Sequence, residues 1–124
     1  MSAWALITTQ SAADAARHAS AEEIHGLRTL VDTMATQSAS DQWSDVASAV
    51  YFGIGEASGN AVFESLVYDL WLVLAGSGGQ WDVAARLWPS RPSAERSLQA
   101  VVTAIADARP ESAAAAMHSH INGR

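Results

Sequence analysis

Apolar residues recur every three or four positions along most of the chain, the period of amphipathic helices, and no segment reads convincingly as a strand. The clearest case follows Ser-Ala-Glu-Glu at 20–23. Ser20 and Glu23 have capping-box spacing, and Ile24, Leu27, Leu30, Val31 and Met34 then form one stripe. Residues 3–17 are alanine-rich, with Trp4 and Ile7 as their larger apolar members, and are also read as helix. Ser40 is the expected N-cap of a third helix ending near Ala57, with Trp43, Val46, Val50 and Ile54 sharing a face. Gly53 and Gly55 lie inside it, each costing roughly 1 kcal/mol relative to alanine. Either a neighbour packs tightly on that backbone or the last turn is irregular.

In Ala-Ser-Gly-Asn, 57–60, Gly59 suits the left-handed position after a helix, and Asn60 suits the N-cap of the next. The helix that follows, about 61–75, is apolar on nearly every side. It should therefore be central, or be covered on its second face by a partner, as in a dimer contact. A glycine-rich break at 76–80 precedes a short amphipathic piece at 81–88. Ser93 is the expected cap of a helix carrying Leu98, Val101, Val102 and Ile105. Pro110 and Glu111 open a final alanine-rich helix. The pattern predicts an all-α fold, an antiparallel bundle of six to seven helices in a single domain spanning 1–124.

Composition narrows the function. The 124 residues carry a net charge of -6 and no lysine or cysteine, and the seven arginines are scattered. Such a surface cannot displace counterions from a nucleic-acid backbone, so DNA binding by this chain itself is not expected. The absence of cysteine excludes disulfides and thiolate metal sites and fits a cytoplasmic location. No apolar run approaches the length of a membrane span, and the N-terminus lacks the features of a signal peptide.

Catalytic chemistry finds little support. There is no nucleophile elbow and no phosphate-binding glycine loop, and the serines fall where caps and turns explain them. His18 and His25 lie on either side of the Ser20 cap and are expected to be exposed. His118 and His120 are two apart on a helix, so at most one faces inward. No catalytic residue, cofactor or metal site is assigned, and the chain is not expected to be an enzyme.

The order of Glu-Ala-Ser-Gly-Asn-Ala-Val-Phe-Glu-Ser-Leu at 56–66 and the segment 98–121 resembles the C-terminal, FCD-type effector domain of FadR-branch GntR transcription regulators of bacteria. The resemblance covers essentially the whole chain. It implies a helical bundle that binds a small-molecule effector, forms a homodimer and controls a winged helix-turn-helix. DNA would be reached only through that winged-helix domain, which this chain does not contain.

Many such domains hold a divalent metal through an aspartate, a histidine one turn later and two further histidines. By this resemblance the four positions are Ala47, Tyr51, Leu98 and His120, so three of the four ligands are replaced. Trp4 and Thr8 stand where the family often has arginine and glutamate. Ala108-Arg109 replaces the usual Gly-Asp before the last helix and leaves it a poor N-cap. The expectation is a metal-free, apolar or weakly polar ligand pocket around Ala47, Tyr51, Leu98 and His120, with the tyrosine and histidine as hydrogen-bonding handles. The alternative is a degenerate, stand-alone dimerisation or interaction module with no DNA binding.

Overall fold

The structure, a computed structural model, describes residues 3–76 and 90–122, apart from the side chains of 40, 41 and 73–76. Within these residues six helices follow one another and no strand occurs: α1 Ala3–His18, α2 Ala21–Met34, α3 Ser40–Ala57, α4 Ala61–Gly76, α5 Arg91–Ala106 and α6 Pro110–Asn122. The break at 77–80 and the short segment at 81–88 lie outside the described residues.

Local chemistry sets most of the boundaries. Ser20 Oγ accepts from the Glu23 backbone while the Glu23 carboxylate accepts from the Ser20 amide, the reciprocal box that its spacing predicts. Gly59 adopts φ +71° after α3, and Asn60 Oδ1 then accepts the amides of Val62 and Phe63 at the start of α4. Two expected caps move. Ala39, not Ser40, is the N-cap of α3 and offers no side-chain acceptor. Ser90, not Ser93, caps α5, and it is the Ser93 amide that donates to Ser90 Oγ. The Arg91-Pro92 start explains the second shift. Proline has no amide hydrogen to satisfy and fits the first turn, so the helix begins upstream of Ser93.

The two glycines of α3 mark close approaches. A Cβ on Gly53 would lie 2.9 Å from Leu27 Cδ2, and one on Gly55 would lie 3.3 Å from the Cα of Glu64. α3 is thereby pressed against α2 on one side and α4 on the other, which settles the choice left open by the sequence in favour of tight packing.

The helix surrounded by others is α1. It packs against α3, α4, α5 and, most extensively, α6, so the first and last helices lie side by side. Half of its sixteen residues are buried, mostly alanines whose short side chains let neighbouring backbones draw near. By contrast α4 packs on α3 and α1 and leaves an apolar face open. Val62, Tyr68 and Leu72 are 64%, 52% and 51% exposed. Its all-round apolarity therefore does not place it at the centre of this chain.

Candidate functional site

All four positions singled out by the resemblance are buried in the bundle, in the region where α1, α3, α5 and α6 meet. α3 supplies Ala47 and, one turn on, Tyr51. Leu98 comes from α5 and His120 from the last turn of α6. Of these, Tyr51 and His120 are in direct contact. The tyrosine hydroxyl is hydrogen-bonded to Nε2 of the imidazole, and Nδ1 is hydrogen-bonded to Ser97 Oγ. Ser97 Oγ in turn donates to the carbonyl of Ala94, 3.0 Å away.

That last bond fixes the order of protons. A serine hydroxyl has one hydrogen, and here it goes to a carbonyl, which can only accept. Ser97 Oγ must then accept from Nδ1–H, so Nε2 is bare and accepts from the Tyr51 hydroxyl. The chain Tyr51–His120–Ser97–Ala94 thus runs in one direction across α3, α6 and α5, with a neutral imidazole at its centre. Burial of His120, 5% exposed, pushes its pKa down from 6.5 to about 4 because water no longer stabilises the cation.

Aromatic rings enclose the tyrosine. Trp4 meets Tyr51 edge-on at 5.1 Å between centroids, and Trp71 lies 6.3 Å away at a shallow 30°. The two tryptophans are themselves 6.0 Å apart. Trp4 and Thr8, expected in place of charged residues, are both buried, and Thr8 Oγ1 donates back to the Trp4 carbonyl at 2.8 Å. Among the described residues four buried polar atoms have no hydrogen-bond partner: Trp4 Nε1, Thr9 Oγ1, Ser11 Oγ and Ser44 Oγ. Such groups ordinarily find partners, and an unsatisfied one costs about 1–3 kcal/mol.

The donor set does not fit a divalent metal. Ala47 and Leu98 have no donor atom, and both nitrogens of His120 are already engaged. Among the described residues no group of three His, Asp or Glu side chains converges as a metal site would require. The remaining histidines follow expectation, with His18, His25 and His118 exposed. Two clefts among the described residues lie away from these four positions. One of about 650 Å³ runs between α2 and α3 past Gly26 and Gly53, and one of about 410 Å³ lies between α3 and α4. Neither is lined by the four site positions.

A family model for the FCD domain matches residues 1–123. The chain belongs to the FCD family. This is the C-terminal effector-binding domain of GntR-family regulators, a regulatory and not an enzymatic family. No curated protein matches the chain. Within this FCD domain, Ser97 and Trp71 are the site residues that the sequence did not reveal. Ser97 carries no periodic signal, being a polar residue beside the recognisable Leu98. Trp71 was legible only as one apolar residue among many on α4.

Proposed function

We propose that this FCD domain, 1–124, senses a small, weakly polar effector without a metal and acts as a homodimer in the cytoplasm, within a GntR/FadR-like bacterial transcription regulator. The observation that carries this reading is the Tyr51–His120–Ser97 chain. It uses the one remaining imidazole as a neutral hydrogen-bonding centre at a position that the family resemblance assigns to a metal ligand. Among the described residues the buried polar ones, Thr8, Ser11, Ser44, Ser48, Ser58 and His120, include no full charge at neutral pH. Burying a carboxylate effector among these residues alone would carry a large desolvation cost. An uncharged ligand with an acceptor oxygen suits the unpartnered Trp4 indole N–H.

The mechanism would be a population shift. An effector that favours one arrangement of α1, α3 and α6 would reset the spacing of two winged-helix heads, through which alone DNA is reached. The test is a thermal-shift screen of fatty acyl, sugar-acid and amino-acid metabolites alongside neutral lactones and alcohols. A specific ligand raises the melting temperature by mass action. Loss of that rise in Tyr51→Ala and His120→Ala supports the reading, whereas a rise untouched by both substitutions overturns these handles. A stoichiometric divalent metal in the purified protein would overturn the metal-free part.

The packing of Trp4 and Trp71 around Tyr51 favours a second reading, in which the chamber is closed by side chains and the domain serves only for dimerisation or interaction. A screen in which no compound of any class shifts the melting temperature selects it.

A further inference from the structure

Charge is distributed unevenly along the chain. Residues 29–85 contain seven of the thirteen acidic side chains and not one Arg, Lys or His. The rest of the sequence sets six acids against all seven arginines, so the net charge of -6 belongs to the middle of the molecule. Its described residues form the end of α2 and all of α3 and α4. α4 is also the helix whose outer face is left apolar, with Val62, Tyr68 and Leu72 each more than half exposed. Beside that face lies the 410 Å³ cleft, walled by Phe52 and Tyr68 and rimmed by Glu56, Glu64 and Asp69. The two rings pack 5.6 Å apart, so the wall is held in place by aromatic contact.

We propose that the outer face of α4 and its adjoining cleft dock a basic amphipathic segment of another polypeptide, one that presents apolar side chains flanked by arginine or lysine. Leu72 and Val62 supply the apolar contact. The faces of Phe52 and Tyr68 attract a cation, and the three carboxylates neutralise it. A second copy of this chain is the poorer occupant. A two-fold contact sets the same patch against itself, which would bring Glu64 and Asp69 towards their own counterparts with no basic residue from α3 or α4 between them.

The test uses the purified protein and a synthetic helical peptide with a leucine stripe flanked by arginines, alongside the same peptide carrying glutamates in place of the arginines. Fluorescence anisotropy should show binding of the arginine peptide only, weakening as salt is added. Glu64→Gln combined with Asp69→Asn should weaken it about tenfold, equivalent to about 1.4 kcal/mol. Leu72→Asp should abolish it, while Glu22→Gln, on α2, should leave it unchanged. Leu72 is half exposed, so the aspartate variant keeps the fold, which circular dichroism verifies. Equal binding of both peptides, binding of neither, or binding indifferent to Leu72→Asp overturns the proposal. So does a dimer, measured by sedimentation, that Leu72→Asp dissociates while the arginine peptide fails to bind.

Discussion

The hydroxyl of Tyr51 on α3 donates to Nε2 of His120 on α6, joining two helices through a buried contact. Tyr51→Phe keeps the ring between Trp4 and Trp71 but removes the hydroxyl that donates to Nε2. The cost should be about 1–3 kcal/mol, the range for removing one partner of a buried hydrogen bond. Urea denaturation should show a lower midpoint with an unchanged slope, because the surface exposed on unfolding is the same. An unchanged midpoint would mean that this bond adds nothing to stability.

The same contact predicts an acid sensitivity. His120 titrates at about 4 in the folded chain and near 6.5 when unfolded. Between these values the unfolded state binds the extra proton, so the stability associated with neutral His120 is full above pH 6.5 and is lost as pH falls towards 4. The loss should be roughly 3 kcal/mol, reading one pKa unit as 1.36 kcal/mol. Melting temperatures measured across this range should fall more steeply for the natural sequence than for His120→Asn. Parallel curves would assign the acid sensitivity to other groups.

Two glycines should respond to alanine with opposite signs. Gly26 sits inside α2 with no atom within 4 Å of an added Cβ. Gly26→Ala should therefore stabilise by about 1 kcal/mol through helix propensity. Gly55 is buried, and its added Cβ would come within 3.3 Å of the Glu64 backbone, which cannot swing aside as a side chain could. Gly55→Ala should destabilise despite the same propensity gain, because α3 and α4 would have to separate. Chemical denaturation of the two variants decides the matter.

How much of this was legible beforehand depended on where the information is written. The α2 box and the Gly59-Asn60 turn are local: each is specified by residues within four positions, and each appears as read. The position of α4 is not local. Its apolar residues on every side suggested a centre or a covered helix, yet the centre went to α1, whose alanines carry a weak periodic signal and pack by closeness instead of bulk. The site shows the same division. Tyr51 and His120 could be located by their offsets from recognisable turns, but their bond spans 69 positions of sequence. The part played by Ser97 depends on how closely α5 meets α6, which no spacing encodes.

The joint between α5 and α6 offers a sharper test, because its substitution carries a conformational cost. The Arg109 amide donates to the Ala104 carbonyl and the Ala108 amide to that of Ile105, at 3.0 and 3.1 Å, the paired bonds of a Schellman turn. This turn needs a left-handed residue, and Ala108 fills it with φ 55°, the only non-glycine residue with positive φ among those described. An alanine Cβ in that region crowds the following carbonyl at a cost of about 1–2 kcal/mol, which glycine avoids. Glycine also makes the unfolded chain more flexible, and this recovers part of the difference for the natural residue. Ala108→Gly should therefore stabilise the domain by about 1 kcal/mol, with Ala108→Asn intermediate, since asparagine tolerates the left-handed region better than alanine. Thermal melts of the three sequences should rank them Gly, Asn, Ala. If Ala108→Gly melted lower than the natural chain, the turn between α5 and α6 would not have the left-handed geometry described.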